Sequence, residues 1–174
     1  MPKDWDVRLA FDGNRLCFVK ESTNECIKCW KGRSGILDSE GNTQPINVEK
    51  SNNGPIPPGE YIVNVDTIQW RLDKKGREKP EWEGRSLTAW GDARVKIIPK
   101  KGTETFGRSK FYLHGGRVFG SIGCVDLSLL GDEFFEFWED NFDQKGKKDK
   151  NIEFLVDYSG NSMPDDCEEP LDFW

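Results

Sequence analysis

Residues 111–127 have the sequence FYLHGGRVFGSIGCVDL, and the chain is organised around this stretch. It contains the only histidine of the protein, His114, and ten residues later the cysteine Cys124. Four glycines lie between them, and glycine lets a chain turn tightly and approach other groups closely. A thiol becomes a strong nucleophile when a base takes its proton, and imidazole suits that task near neutral pH. The stretch therefore predicts a catalytic pair, with His114 as base and Cys124 as nucleophile.

The flanking residues predict how this pair is held. The apolar residues 111–113 predict a strand that ends at His114. The amide of Gly123 is a candidate donor in an oxyanion hole, and the carbonyl of Gly115 is a candidate acceptor for the second imidazole nitrogen. A helix soon after Cys124 is expected to lower the pKa of its thiol through the helix dipole. A purely structural role, with a buried thiol and a hydrogen-bonded histidine at a strand end, remains open.

Size and composition indicate one soluble domain. The chain has 174 residues, 35% of them hydrophobic, with a net charge of −6 and 18 Trp and Phe residues (7 and 11). The aromatic content excludes full disorder, and the acidic balance argues against a nucleic-acid partner. The mean hydropathy is −0.73. The sequence has no run of about 18 apolar residues, so no membrane span is predicted. The first residues lack the apolar segment of a signal peptide, so we expect synthesis without one.

Four further cysteines are Cys17, Cys26, Cys29 and Cys167. The Cys26-x-x-Cys29 spacing is typical of zinc and redox sites, but zinc needs about four ligands and no second such pair exists. We therefore predict ordinary thiols that pack as small hydrophobic side chains, with no metal and no cofactor. A disulfide that forms late, in an oxidising compartment, is the alternative.

The pattern along the chain predicts a mostly β domain, a β-rich α+β fold. Strands are predicted at residues 5–11, 16–20, 25–30, 61–66, 94–99, 111–113 and 152–156. One helix is predicted from apolar residues at helical spacing, namely Leu130, Phe134, Phe137, Trp138 and Phe142. Asp126 or Ser128 is the expected cap of this helix.

The remaining segments are expected to be less regular. Residues 38–54 predict a polar loop, and the charged residues 71–86 predict a solvated excursion. Residues 1–160 are expected to form the single catalytic domain, and residues 161–174 an acidic C-terminal tail.

The central motif, His114-Gly-Gly followed by Gly-Ser-Ile-Gly-Cys124-Val, resembles that of the L,D-transpeptidase (YkuD-type) family. A second similarity is Ile56-Pro-Pro-Gly-Glu-Tyr61-Ile, which resembles the proline–glycine segment that enters a sheet strand in that family. The resemblance covers roughly residues 5–157. It implies an L,D-transpeptidase-like β-sandwich with one helix after the catalytic cysteine.

Two residues differ from the usual motif of that family. Ile122 stands where the family usually has a second histidine, and Asp126 where it usually has Arg or Asn. With its short loop, the motif is most similar to type VI secretion toxins that attack peptidoglycan as L,D-carboxypeptidases or L,D-transpeptidases. That resemblance implies that Gly115 or Ser121 orients the imidazole, and that the amides of Gly123 and Cys124 form the oxyanion hole.

The same resemblance implies the cellular setting. The partners would be peptidoglycan stem peptides, a cognate immunity protein and a component of the secretion system, with the protein itself a monomer. It would be made in the cytoplasm without a signal peptide and act in the periplasm of a target bacterium.

Two alternatives are weighed against this hypothesis. An NlpC/P60-type endopeptidase is less favoured, because those enzymes place the cysteine before the histidine in the chain. A non-enzymatic β module would use Trp70, Trp82 and Trp90 to contact glycan, but we expect these side chains to belong to the core.

Overall fold

The computed structural model describes residues 6–50, 54–119, 121–142, 150–168 and 170, with the main chain only at 121 and 122. Trp5 of the first predicted strand and residues 171–174 of the predicted tail lie outside these residues. In the part described, no helix is both long and apolar enough to cross a membrane.

Ten strands and two helices are formed by the described residues. The strands are β1 (Val7–Phe11), β2 (Arg15–Lys20), β3 (Glu25–Lys31), β4 (Arg33–Gly35), β5 (Gly59–Asn64), β6 (Gln69–Trp70), β7 (Ala93–Pro99), β8 (Phe111–His114), β9 (Ser121–Asp126) and β10 (Asn151–Val156). The helices are the single turn α1 (Leu87–Trp90) and α2 (Gly131–Phe142). Short 3-10 turns lie at Pro45–Asn47, Val65–Thr67, Pro80–Trp82 and Ser128–Leu130.

The strands form one strongly curved sheet in the order β3-β2-β1-β10-β5-β7-β8-β9-β4, with β6 paired to β7. Its two halves share β7, which pairs with β5 near Pro99 and with β8 from Arg94 to Ile97. The outermost strands, β3 and β4, are joined by Gly32 alone, so the two edges of the sheet lie close together. The predicted mostly β fold is confirmed, although one sheet curves round where two separate layers were expected.

The helix α2 packs its aromatic face on the sheet, as its spacing predicted. Phe134 stacks on Phe18 with ring centroids 5.2 Å apart and meets Trp30 edge to face at 5.0 Å. Phe134 and Trp138 have no exposed surface. Such aromatic pairs contribute about 0.5–1.5 kcal/mol each beyond the burial of their area. This core holds β2, β3 and α2 together.

The start of the helical region differs from the predicted cap. Asp126 Oδ1 accepts a hydrogen bond from the Ser128 N–H at 2.8 Å, at the beginning of the 3-10 turn that precedes α2. The carboxylate therefore closes the turn that leads from β9 towards the helix, one turn before α2 begins at Gly131.

The prediction of ordinary thiols outside the central stretch is wrong. Cys17 is bonded to Cys29 and Cys26 to Cys167. Cys17 and Cys29 lie directly opposite each other in the β2–β3 pair, which brings their sulfur atoms together. The second disulfide ties the segment around Cys167 to the sheet.

The charged excursion is only partly solvated. Lys74 and Lys75 are exposed, but Trp82 is completely buried and Arg71 is only 6% exposed. The Trp82 ring lies between two guanidinium groups, with Cζ of Arg71 and Cζ of Arg94 each 4.6 Å from its centroid. The segment after β6 therefore packs against β7, where sequence reasoning expected an exposed loop.

Candidate active site

His114 is the last residue of β8, and strand pairing on both sides fixes its position. It lies opposite Arg94 in the antiparallel pair with β7 and opposite Asp126 in the parallel pair with β9. Side chains that lie directly opposite each other project from the same face of a sheet. His114, Arg94 and Asp126 therefore share one face, whereas Leu113 and Val125 lie in the core.

Cys124 lies in β9, the strand next to β8, two residues before Asp126. Regular alternation would place it on the face of Asp126, but β9 is irregular here, because Ser34 of β4 lies opposite Val125 whereas Gly35 lies opposite Ser121. The thiol of Cys124 receives a main-chain hydrogen bond from Tyr112 of β8, two residues before His114. The two residues predicted as catalytic therefore lie on neighbouring strands.

The histidine ring is held in one tautomer. Nδ1 of His114 lies 2.7 Å from the carbonyl oxygen of Gly115, the orienting contact that the sequence predicted. A carbonyl oxygen only accepts hydrogen bonds, so Nδ1 carries the proton and Nε2 of the neutral ring has its lone pair available. The Trp90 ring packs on the imidazole, with centroids 4.8 Å apart and an angle of 39° between the planes. Nε2 is therefore the atom that can act as a base.

Burial keeps this histidine neutral. The pKa of His114 falls from 6.5 to about 4, mainly because the ring is buried; the bond to Gly115 opposes this shift and the positive charge of Arg94 adds to it. The ring is 1% exposed. At neutral pH the imidazole is thus ready to accept a proton.

Cys124 is a protonated thiol at rest, which corrects the expectation of a lowered pKa. Its pKa rises from 9.0 to about 11, mainly because the thiol is buried. The charge of Asp126 contributes to this rise, whereas a main-chain hydrogen bond from Tyr112 and the charges of Arg108 and Arg85 oppose it. The cysteine lies within β9, and α2 begins only at Gly131, beyond the last turn through which a helix dipole acts. The resting pair is therefore thiol and neutral imidazole.

The predicted oxyanion donor Gly123 already has a partner. Its N–H donates to the carbonyl of Gly54 at 3.1 Å, and the same carbonyl accepts from Nη2 of Arg108 at 2.7 Å. Gly123 has φ +71°, and a Cβ there would lie 2.8 Å from Nη2 of Arg108. Glycine is thus required at this position for space and conformation. Its oxyanion role stays a prediction that requires the bond to Gly54 to open.

Ser121 pairs through its main chain with Gly35 in β4. Its side chain lies outside the described atoms, so its predicted role in orienting His114 stays a prediction. The side chain of Ile122 also lies outside the described atoms.

Close backbone contacts hold the loop after His114. A Cβ on Gly115 would lie 3.1 Å from Cα of Gly131, and one on Gly116 would lie 2.6 Å from the carbonyl oxygen of Thr88. The N–H of Gly116 donates to the carbonyl of Ser128 at 3.0 Å. The loop is therefore held between the end of the excursion and the start of α2.

Sequence reasoning missed three residues around the pair: Trp90, Arg94 and Arg108. Arg94 is detectable in principle, since Val95 and Ile97 alternate with it and assign it to the opposite face of β7. Trp90 is an apolar side chain within a polar segment, but its contact with a histidine 24 residues away depends on tertiary structure.

The tryptophans proposed for glycan contact take part in internal contacts. Trp82 is buried between two arginines, and Nε1 of Trp70 donates to Oε1 of Glu139 at 2.8 Å. With Trp90 packed on His114, these contacts favour the predicted structural roles over a glycan-binding face.

Comparison with known proteins gives a distant likeness in structure. No protein-family model matches the sequence, and no curated protein matches it. Among solved structures, the chain is similar to an L,D-transpeptidase, described as the Ldtfm–avibactam carbamoyl enzyme, with 14% identity and a TM-score of 0.39. The match covers 87% of this chain and 48% of the other, so this chain spans about half the length of that protein. At this level nothing about activity follows from the likeness.

Proposed function

We propose that this chain is a cysteine acyl-transfer enzyme that acts on the stem peptides of peptidoglycan. The observation that carries the proposal is the fixed tautomer of His114, with a basic Nε2, on the strand beside the one that carries Cys124, whose thiol is hydrogen-bonded by the main chain of Tyr112. The bond attacked is the one between the L-centre of meso-diaminopimelate and the terminal D-Ala of a tetrapeptide, as the motif resemblance implies. The activity is that of an L,D-carboxypeptidase or L,D-transpeptidase.

The reaction starts from the neutral pair. Nε2 of His114 takes the thiol proton as Sγ of Cys124 attacks the diaminopimelate carbonyl carbon. The C–N bond to D-Ala then breaks, and the imidazolium gives its proton to the leaving amine. A thioester on Cys124 remains. Water resolves it to the tripeptide, whereas an amine resolves it to an exchanged or cross-linked peptide.

The charges around the pair support an anionic substrate. Arg85, Arg94 and Arg108 all act electrostatically on one or other member of the pair. Arg85 is exposed, with its Cζ 5.0 Å from the centroid of the Trp90 ring. A tetrapeptide stem ends in a carboxylate next to the bond that would break, and arginine is well suited to bind carboxylates.

Substrate access requires an opening movement. Cys124 is 5% exposed and His114 is 1% exposed, so a peptide carbonyl cannot reach the thiol in the arrangement described. The Trp90 ring packs on the imidazole and is half-buried, whereas the backbone of α1 is held by the bond from the Arg117 N–H to the carbonyl of Thr88, so movement of the Trp90 side chain is the expected opening.

We further propose that this protein is a type VI secretion effector and that it acts in the periplasm of a target bacterium. Peptidoglycan lies in that compartment, and two disulfides are typical of proteins that work in an oxidising environment. A cognate immunity protein in the producing cell is the expected partner.

The enzymatic proposal is tested with purified disaccharide-tetrapeptides and analysis of the products by mass spectrometry. The wild-type chain should release D-Ala and leave the tripeptide, and Cys124→Ala should leave the substrate intact. Adding a second D-amino acid separates the two outcomes, because an exchanged tetrapeptide reports aminolysis of the thioester. An unchanged tetrapeptide with folded wild-type protein would rule out the proposal.

The cellular proposal has its own test. Expression in a bacterium with an added export signal should cause lysis or rounding, whereas expression without that signal should not. Exported Cys124→Ala is the matched control. Equal toxicity of the exported wild type and the exported variant would exclude peptidoglycan cleavage as the cause.

A further inference from the structure

Four cysteines form one compact cluster at β2 and β3. Cys17 lies in β2, Cys26 and Cys29 in β3, and Cys167 in the C-terminal segment, and all four Sγ atoms lie within 4.8 Å of one another. They are joined as two disulfides, yet Sγ of Cys26 and Sγ of Cys29, which belong to different disulfides, are only 3.4 Å apart. Two separate disulfides need only pairwise proximity, so the common cluster needs another explanation.

A bulge in β3 creates this cluster. Residues three apart on a regular strand point to opposite faces, which would separate Cys26 from Cys29. In the β2–β3 pair, Phe18 lies opposite Lys28 and Val19 opposite Cys26, so Ile27 is the extra residue. A β-bulge re-aims the side chain that follows it, and this one directs both cysteines to the same face.

We propose that the reduced protein binds one Zn²⁺ ion through the thiolates of Cys17, Cys26, Cys29 and Cys167. Structural zinc sites are tetrahedral with Zn–S distances of about 2.3 Å, which spaces the sulfur atoms roughly 3.8 Å apart. The observed cluster is compatible with that spacing. Binding displaces four thiol protons, and the ion with four thiolates carries a net charge of −2.

Two contacts hold the C-terminal ligand against the sheet. Nη1 of Arg15 donates to the carbonyl oxygen of Cys167 at 2.7 Å. The carboxylate of Asp166 accepts from the N–H of Cys26 at 3.1 Å, which fixes the C-terminal segment against β3. These contacts hold the fourth ligand in place without the disulfide.

The disulfide-bonded and zinc-bound forms are alternative states of the same four sulfur atoms. Two molecules of a small disulfide oxidant would convert the four thiolates into two protein disulfides, release Zn²⁺ and leave four thiolates of the reduced oxidant. Cys26 and Cys29 line an open cavity of about 470 Å³, together with Trp30, Glu133 and Asp166, so the oxidant has access. This site does not depend on the function proposed above.

The test uses the full chain, reduced with a phosphine under anaerobic conditions and then equilibrated with Zn²⁺. Elemental analysis and native mass spectrometry should show one zinc per chain, and none after oxidation by glutathione disulfide. Cys167→Ser should weaken zinc binding by at least about 100-fold, since even the loss of an outer-shell partner costs 10–100-fold. Cys124→Ala is the control and should bind zinc like the wild type.

Co²⁺ provides a second measurement, because its visible spectrum reports tetrahedral thiolate ligation. If the reduced chain unfolds, added Zn²⁺ should restore its folded circular dichroism spectrum. The proposal is overturned by reduced, folded protein with only traces of metal. It is also overturned if the reduced protein unfolds and added zinc does not refold it. The same conclusion follows if Cys167→Ser binds zinc with wild-type affinity.

Discussion

The two halves of the sheet are held together by different means. Around β2 and β3, two disulfides join neighbouring strands and fasten the C-terminal segment. Around β8 and β9, none of the disulfides is present, and the backbone instead makes direct contact at glycines, as between Gly115 and Gly131. The first half is covalently linked, and the second depends on close packing.

This difference matches what each half has to do. A disulfide acts mainly on the unfolded chain and tolerates small shifts in the folded one. Two backbone segments that touch at a glycine have no such tolerance, because the methyl group of an alanine at that position would force one of the segments to move. We infer that the disulfides provide stability, whereas the glycines position His114 relative to Cys124. Mutations in the two halves should therefore affect different measurements.

The largest effect on activity is expected from Cys124→Ala. Without the nucleophile, D-Ala release should fall at least about 10³-fold, as in other enzymes that lose a member of a catalytic unit. The melting temperature should change by only a few degrees, since the substitution removes one sulfur atom. Product analysis and thermal unfolding measure the two effects. Activity within tenfold of the wild type would contradict the assignment of Cys124.

The largest effect on stability is expected from the disulfide that closes the longer loop. Cys26 and Cys167 are 141 residues apart, and Cys17 and Cys29 are 12 apart. The chain-entropy model gives about 4–5 kcal/mol for the first and about 3 kcal/mol for the second. Urea unfolding of the two double alanine variants measures this difference, and activity per folded molecule should stay at the wild-type level. If the two double variants lose the same stability, or if folded variant protein loses activity, the disulfides and the glycines do not have the separate roles inferred above.

Acid should destabilise the half that contains His114. The imidazole titrates near 6.5 in the unfolded chain and near 4 in the folded chain, because it is buried. Above pH 6.5 both states are neutral and the full stability is present. As the pH falls from 6.5 to 4, only the unfolded chain binds the proton, and about 3 kcal/mol is lost.

The matched variant for this prediction is His114→Gln, which cannot titrate. The free energy of unfolding of the wild type, relative to the variant, should fall by about 2–3 kcal/mol between pH 7.5 and 4.5. Carboxylates titrate alike in both proteins and cancel in this difference. A constant difference across the range would show that the histidine is not held in its neutral form.

The local pattern was sufficient to predict the elements that carry the site. Alternation predicted strands near 7–11, 16–20 and 94–99, and the spacing of Phe134 and Trp138 predicted the face of α2. The glycines between His114 and Cys124 predicted a tight turn back, but β8 and β9 run parallel, so the segment between them crosses over instead of forming a hairpin. The two residues do lie on adjacent strands. These features depend on residues close together in sequence.

The features that were missed depend on tertiary structure. Period-two alternation assigns Cys26 and Cys29 to opposite faces, and nothing in the sequence marks Ile27 as a bulge residue. The pKa of Cys124 was expected to be low because a helix follows it, but burial within a strand raises it. Burial depends on how the segment around Trp90 packs, which local patterns do not report.

The smallest expected effect comes from Gly115→Ala, which tests the packed half without removing a reactive group. The new Cβ would lie 3.1 Å from Cα of Gly131 and from the carbonyl oxygen of Ser128, so the Gly115 carbonyl that orients His114 must shift. Misplacement on the order of 1 Å costs up to about 10²-fold, and we expect turnover to slow by about 10-fold to 100-fold. Gly76→Ala is the control: Gly76 has φ +75° but nothing within 4 Å of its Cβ position, so the variant should lose about 1–2 kcal/mol of stability and no activity. Kinetics of D-Ala release and urea unfolding of both variants separate positioning from stability. If Gly76→Ala loses as much activity as Gly115→Ala, or if Gly115→Ala turns over substrate as fast as the wild type, the glycine contact does not position the histidine.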